Sequence, residues 1–391
     1  MKKLFNITLL VLGLNILLPI KTFSSIHSEK TVDIQSEAAI LIEQNSGEIL
    51  FQKNAQTKMF PASLTKIATG IYAIDHADLN AMTKVSKNAT EAEGTRIYLE
   101  EGESITIKKL IQGLLINSGN DAGVAIAEHI DGSIESFSEN FNNYLYNEIG
   151  VRNTNFTNPH GLFNENHVTT AEDLGRITQY AIKNDVFREI FGIKELEWKD
   201  QKWETTLFSH HKLMRERPYN GVTGGKTGYV DQSGHTLVTT ATRGDLDLIA
   251  VTLSATSQPV AYNDTMALLD FGFNNFKTVT VARGEEFTLN NSKYLAPKNY
   301  YYTVRKEAET KLVINTNGKL EIRDENNELL NLLELQKVRE QPKETGSLSK
   351  LGKTQELVDS RLEKHLSRLT VISVFISFII IVFFYNEIRK I

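Results

Sequence analysis

The chain has 391 residues, 41% of them hydrophobic, enough for one large and one small globular domain with complete cores. Its net charge of -5 argues against binding nucleic acid or anionic lipid through bulk electrostatics. The absence of cysteine excludes disulfides, thiolate catalysis and cysteine-ligated zinc, but says nothing of compartment, since a domain of this size stands on its own core.

Met1-Lys2-Lys3 followed by the apolar run Leu4 to Ile20, with small residues at Thr22 and Ser24, reads as a secretory signal cleaved after Ser24. Ala39 to Glu43 and Glu48 to Lys53 flank Asn45-Ser46-Gly47, a strand, turn, strand signal. Pro61 then opens a helix with Ser63 in its first turn. Thr106 precedes a second helix, whose apolar face is Ile107, Leu110, Ile111, Leu114 and Leu115, and Asp121 is placed to cap a third. Leu237 to Arg243 and Leu246 to Ser254 form a hairpin around Gly244-Asp245, so Arg243-Gly244-Asp245 reads as turn chemistry and not as an adhesion tripeptide.

From Phe276 the texture changes to short β-prone runs, Val279 to Ala282, Tyr300 to Val304 and Lys311 to Ile314, which predict a small all-β domain ending near Val338. Leu348, Leu351, Val358, Leu362, Leu366 and Leu369 then recur at near-helical spacing, as in an amphipathic stalk or a plain helical linker. Leu369 to Tyr385 is a run of 17 residues without charge. At ~1.5 Å per residue it reaches roughly 25 Å, the lower limit for a transmembrane helix. The division expected is 1–24 signal, 25–276 catalytic domain, 277–340 small β domain, 341–368 amphipathic linker, 369–385 transmembrane helix and 386–391 cytoplasmic tail.

The chemistry rests on three motifs in fixed order: Ser63-Leu64-Thr65-Lys66, Ser118-Gly119-Asn120 and Lys226-Thr227-Gly228. Ser-x-x-Lys recurs at Ser209 to Lys212 and at Ser347 to Lys350, but only Ser63 follows a proline at a helix start, where residues three apart share a face. Ser63 is the expected nucleophile. Lys66 can serve as its base only if burial or the charge of Lys226 depresses its pKa. Ser118 offers a hydroxyl to relay a proton between Lys66 and a leaving group, and Asn120 an amide for a substrate carbonyl; the decoy Ser138-Glu139-Asn140 lies inside a predicted helix. On a strand, Lys226 supplies positive potential, Thr227 a hydrogen bond to a carboxylate, and Gly228 close approach of a substrate backbone. The backbone N–H groups of Ser63 and Tyr229 are the expected oxyanion hole. His160 is expected to fix a loop, and His210 and His211 lack partners spaced for a metal site, so no metal and no other cofactor is predicted.

Phe60-Pro61-Ala62-Ser63-Leu64-Thr65-Lys66, Leu115-Ile116-Asn117-Ser118-Gly119-Asn120-Asp121-Ala122, Asn158-Pro159-His160-Gly161-Leu162 and Gly225-Lys226-Thr227-Gly228-Tyr229 together resemble the low-molecular-mass penicillin-binding proteins, serine-type D-Ala-D-Ala carboxypeptidases. The resemblance spans roughly residues 35 to 340. It implies an α/β (α+β) penicillin-binding and β-lactamase-like catalytic domain, a small C-terminal all-β domain and a terminal transmembrane helix. It also implies that the substrate is a peptidoglycan stem peptide ending in D-Ala-D-Ala, and that Ser63 attacks the carbonyl between the two D-alanines. β-Lactams would acylate the same serine, and the enzyme would work at the extracytoplasmic face of the membrane without nucleic acid.

Competing readings are a DD-transpeptidase or endopeptidase of the same fold, a non-catalytic β-lactam or peptidoglycan sensor, and a class A β-lactamase. The last would need a deacylating glutamate, and Glu216-Arg217-Pro218-Tyr219-Asn220 echoes that loop poorly. One departure from the family stands out. Where many relatives carry a basic residue after the hairpin turn, near the substrate carboxylate, the corresponding position here is Asp247, so either Arg243 takes over or carboxylate binding is weaker.

Overall fold

The computed structural model describes residues 32–199 and 204–338. The chain opens with β1 (Ala38–Glu43) and β2 (Ile49–Lys53), and a 3-10 turn at Ala62–Leu64 leads into α1 (Thr65–His76). A small ribbon, β3 (Met82–Lys84) and β4 (Ser104–Thr106), brackets α2 (Lys87–Thr90). Then come α3 (Ile107–Ile116), α4 (Asn120–Asp131), α5 (Ile134–Tyr144), α6 (Ala171–Ala181) and α7 (Asp185–Phe191). A second ribbon pairs β5 (Glu195–Lys199) with β6 (Glu204–Phe208). Strands β7 (Val222–Val230), β8 (Gly234–Arg243) and β9 (Leu246–Ala255) precede α8 (Gln258–Asn275).

Five strands form one antiparallel sheet in the order β2-β1-β9-β8-β7, so the first and last strands of the catalytic portion meet at its centre. All six residues of β1 are buried, because helices cover both faces. The period-2 alternation of a strand divides them: Ala38, Ile40 and Ile42 join the larger core, whereas Ala39 and Leu41 pack with Leu268 and Leu269 of α8. The hairpin expected around Gly244-Asp245 is β8–β9, with Arg243 opposite Leu246.

In the larger core, α1 is surrounded. Residues Thr65 to Ala73 are buried without interruption, the signature of a central helix and not of an amphipathic surface one. Lys66, at its second position, is therefore carried into the interior at 0% exposure. The α3 cap is the expected one, Thr106 accepting from Lys109 N–H. The α4 cap is not: Gly119 occupies that position, and Asp121 is the second residue of the helix. Its carboxylate instead accepts from the N–H groups of Ile97 and Leu99 at 3.0 and 3.2 Å and of Ala122 at 2.9 Å. Asp121 thus ties the 94–99 loop to the start of α4.

Among the described residues, strands alone follow α8: β10 (Phe276–Val281), β11 (Glu286–Leu289), β12 (Ser292–Leu295), β13 (Tyr300–Arg305), β14 (Lys311–Ile314), β15 (Lys319–Arg323), β16 (Leu329–Glu334) and β17 (Gln336–Lys337). They pair as β10-β13, β11-β12-β17 and β14-β15-β16 around their own cluster of Val281, Tyr302, Val304, Leu320, Ile322 and Leu333. The change of texture at Phe276 is real, but Phe276 itself packs with Leu41 and Phe271, and Ser46 Oγ lies 2.7 Å from Thr303 Oγ1. Among the described residues no helix is long and apolar enough to cross a membrane. The expected signal (1–24), amphipathic segment (341–368), apolar run (369–385) and tail (386–391), together with the decoy Ser347, lie outside the described residues.

Candidate active site

Three elements converge on Ser63: the turn into α1, the loop between α3 and α4, and the outer strand β7. Ser63 lies in the 3-10 turn just ahead of α1, and Lys66 in the first turn of that helix. Lys66 Nζ is 2.8 Å from Ser63 Oγ and donates to the His160 carbonyl at 2.7 Å. Ser118, 4% exposed, bridges the two helices with a left-handed backbone (φ 63°), and its Oγ accepts from Lys226 Nζ at 3.0 Å. Lys226 also donates to the Thr227 carbonyl at 2.8 Å. The structure therefore builds two Ser–Lys pairs, Ser63 with Lys66 and Ser118 with Lys226. The relay read from sequence joined Ser118 to Lys66; the hydrogen bond observed joins it to Lys226.

Both lysines are desolvated and their partners are neutral oxygens. Burial pushes the Lys66 amine well below its ordinary range, the nearby charge of Lys226 pushes it further, and Asp121 opposes both. Burial alone brings Lys226 down to about 7. Of the two causes expected for Lys66, hydrophobic burial and repulsion from Lys226, both operate and burial is the larger.

Gly228 has a different use from the one expected. A Cβ there would lie 2.5 Å from Thr236 Oγ1 and 2.9 Å from Ser63 N, so its missing side chain makes room for the Ser63 turn itself. Gly161 does the same from the opposite side: at φ 90°, with any Cβ 1.9 Å from the Ala62 carbonyl oxygen, it admits no other residue. Between them sits Ala62, a non-glycine residue at φ 49°. Strain of this kind costs on the order of 1–3 kcal/mol per residue and collects at functional sites. Asn120 uses one amide proton on the Glu93 carbonyl and so braces the 93–99 loop. Tyr229 is exposed at the end of β7, its ring 4.7 Å from that of His235.

His160 has the loop-fixing role expected: its carbonyl receives Lys66, and its ring, held neutral by burial at a pKa of about 3, accepts from Leu162 N–H. His211 is buried under Gly225, its Nε2 2.7 Å from Thr239 Oγ1. The decoys fall away. Ser138 bonds back to Ile134 within α5, and buried Ser209 faces Met214 Sδ. Arg243, the candidate carboxylate anchor, is elsewhere. It pairs with Leu246 at the hairpin turn, and Thr227 faces Leu237 at the other end of β8. Six residue steps of strand, roughly 20 Å at ~3.4 Å each, separate the two. Asp247 sits at the same remote end, accepting from Thr242 Oγ1 and from Asn45 Nδ2. Neither residue reaches the site, because the antiparallel register puts both at the turn end of β8.

Sequence reading missed Thr65 and Thr236, whose hydroxyls hold the Ala62 and Pro61 carbonyls of the Ser63 turn, and His167, whose ring bonds Thr65 Oγ1. No local pattern marks His167 or Thr236, which act across 102 and 175 residues; Thr65 reaches back only three, and the fold alone sets His167 behind it.

Residues 25–257 match the family described as D-alanyl-D-alanine carboxypeptidase, Peptidase_S11. The chain is 34% identical over 288 residues to the D-alanyl-D-alanine carboxypeptidase DacF of Bacillus subtilis, covering 71% of this chain and 72% of that one. It is 35% identical over 268 residues to DacC of Escherichia coli, covering 65% and 66%. The fold is similar to that of penicillin binding protein 5 from Haemophilus influenzae, with a TM-score of 0.71, 26% identity, and coverage of 80% of this chain and 99% of that one. The chain belongs to the D-alanyl-D-alanine carboxypeptidase family of serine peptidases.

Proposed function

We propose that Ser63 is the nucleophile that removes the terminal D-alanine from a peptidoglycan stem peptide, with Lys66 as its base and the Ser118–Lys226 pair as the proton donor to the leaving group. The observation that carries this reading is the 2.8 Å contact between Ser63 Oγ and a fully buried Lys66 whose pKa is depressed. A neutral amine at that distance can accept the hydroxyl proton, which an ordinary lysine cannot do at neutral pH.

Ser63 Oγ attacks the carbonyl carbon between the two D-alanines and its proton passes to Lys66 Nζ. The oxyanion is held by the N–H groups of Ser63 and Tyr229. As the C–N bond breaks, the leaving nitrogen takes the Ser118 hydroxyl proton, and Lys226 Nζ replaces it across their 3.0 Å hydrogen bond. Water then attacks the acyl-enzyme. Its proton returns through Ser118 to Lys226, and the Lys66 ammonium reprotonates Ser63, so the resting state is restored. β7 is the outer strand of the sheet, and a peptide backbone laid along it brings its C-terminal carboxylate to Thr227 and its carbonyl to the second amide proton of Asn120. Gly228 keeps this strand close to Ser63.

Export by the segment 1–24 and retention at the extracytoplasmic face by an apolar helix at 369–385 complete the proposal, with residues 277–340 as a separate β domain. Support for both terminal segments is the sequence pattern alone.

The full-length protein incubated with a peptide ending in D-Ala-D-Ala should release D-alanine, and penicillin should add one acyl group at Ser63. Ser63→Ala should abolish both. Stoichiometric penicillin labelling without D-alanine release would instead establish a sensor.

A further inference from the structure

His167 is a buried titratable group, 1% exposed, to which the proposed reaction gives no task. It belongs to none of the three motifs, yet it is joined to the Ser63 turn through Thr65. We propose that His167 is a positioning residue for the oxyanion donor: acting through Thr65, it fixes and polarises the Ala62–Ser63 peptide unit. The inference rests on the reading of Ser63 N–H as one of the two oxyanion donors.

The direction of each hydrogen bond follows from the donors available. Thr157 N–H donates to His167 Nδ1 at 3.0 Å, so Nδ1 carries no proton and Nε2 does. Nε2–H therefore donates to Thr65 Oγ1 at 2.8 Å. Thr65, its acceptor lone pair filled, donates in turn to the Ala62 carbonyl at 2.9 Å. The chain Thr157, His167, Thr65, Ala62 runs one way. Burial and the charge of Lys66 hold His167 neutral, at a pKa of about 3, so this tautomer persists across the working range of pH. The ring is stacked on Phe156 with centroids 4.9 Å apart at 20°.

The chain ends at the most constrained point of the site. Ala62 has φ 49°, and its carbonyl oxygen fills the space that a side chain at Gly161 would need. The preceding carbonyl, that of Pro61, is held by Thr236 Oγ1 at 3.0 Å. The Ala62 C=O and the Ser63 N–H belong to one planar amide. A donor on its oxygen fixes the plane and, by drawing electron density toward oxygen, strengthens the N–H at the other end. That N–H faces β7, 2.9 Å from where a Cβ on Gly228 would be. A neutral group that accepts at one end and donates at the other is what position 167 requires. Glutamine satisfies both requirements, whereas phenylalanine keeps the stack and satisfies neither.

The test compares full-length wild type, His167→Gln, His167→Phe and Thr65→Val. Acylation by penicillin is timed, kcat and KM are measured on a D-Ala-D-Ala peptide, and the infrared stretch of the acyl-ester carbonyl is recorded, since that band reports hydrogen bonding in the oxyanion hole. His167→Phe and Thr65→Val should acylate about tenfold more slowly, a fraction of the ~10²–10³ lost when an oxyanion donor is removed outright. Their KM should stay within about twofold of wild type, and their carbonyl band should move to higher wavenumber. His167→Gln should retain the wild-type band and most of the rate. Wild-type acylation in His167→Phe, a slowed rate with an unshifted band, or a His167→Gln as impaired as His167→Phe would each overturn the proposal. If His167→Phe does not fold, Thr65→Val decides by the same readouts. Failure of the wild type to acylate at Ser63 would sink the underlying site assignment, whereas normal wild-type acylation with unaffected variants would sink the relay alone.

Discussion

The two ends of strand β8 hold their cations in opposite ways. At the end facing Ser63, Lys66 and Lys226 are buried and hydrogen-bonded to neutral oxygens: Ser63 Oγ, the His160 carbonyl, Ser118 Oγ and the Thr227 carbonyl. At the turn end, Arg243 lies over the rings of Phe273 and Tyr219, 4.4 and 4.7 Å from their centroids, with Asp270 3.9 Å away. The first arrangement destabilises the charged form and creates a group able to exchange protons near neutral pH. The second leaves the charge intact and uses it as structure. One antiparallel strand thus separates chemistry from scaffold by whether a cation is given a counter-charge and a share of water.

The largest effect should come from removing the base. Lys66→Met should lower kcat/KM for a D-Ala-D-Ala peptide by ~10²–10⁴, the usual span for losing a general base. Thermal stability should be maintained or improved, because an amine that resists burial is replaced by an apolar side chain of similar length. Steady-state rates and a melting curve on the same sample check both halves. A loss of activity accompanied by a comparable loss of stability would break the contrast, since it would make Lys66 a structural cation.

Lys226 gives a smaller effect with a clear pH signature. Its pKa of about 7 lies well below the ordinary lysine value of 10.5, so the folded protein binds fewer protons than the unfolded one between those limits. Stability contributed by this site therefore rises with pH from about 7 toward 10.5, and the penalty for burying it is fully present below 7. Lys226→Met should be more stable at pH 6 by on the order of 1–4 kcal/mol, as when other buried ions are replaced by apolar residues. In turnover the two lysines act as a coupled pair. The rate rises as Lys66 loses its proton and falls as Lys226 loses its own, near pH 7, giving a bell. Lys226→Arg should remove the falling limb, because a guanidinium does not deprotonate in this range. A pH profile of kcat/KM that keeps its descending limb in Lys226→Arg would assign that limb to another group.

The same contrast explains what could be read from sequence. The local settings of Ser63 and Lys66, of Ser118 and Asn120, and of Lys226-Thr227-Gly228 were legible because each motif is local: a helix start, a tight loop and a strand fix their own geometry. The strand pair around Asn45-Ser46-Gly47 and the β8–β9 hairpin were legible for the same reason. The pairing of Ser118 with Lys226, the brace from His167 through Thr65, and the role of Gly228 in admitting the Ser63 turn depend on contacts between segments up to 175 residues apart, as in Thr236 to Pro61. Asp121 was misread as a cap because its residue type suits one. The backbone N–H groups of Ile97 and Leu99 claim its carboxylate instead, and only the fold brings them there.

The smallest predicted effect is the one that most directly separates the two ends of β8. Arg243 was the natural substitute for a missing carboxylate anchor, since it is the nearest cation in the sequence to Asp247. The register instead puts it opposite Leu246, while its Nε donates to the Asn220 carbonyl at 3.1 Å. Arg243→Ala should therefore leave KM for a D-Ala-D-Ala peptide within about twofold, since a screened charge roughly 20 Å from Thr227 contributes little beyond a Debye length of ~8 Å at physiological salt. The cost should appear in stability, at about 1 kcal/mol for the lost stacking on Tyr219 and Phe273. A several-fold rise in KM with unchanged melting temperature would show that the turn end of β8 does reach the substrate. Carboxylate recognition would then be shared between Thr227 and a cation the static register keeps away.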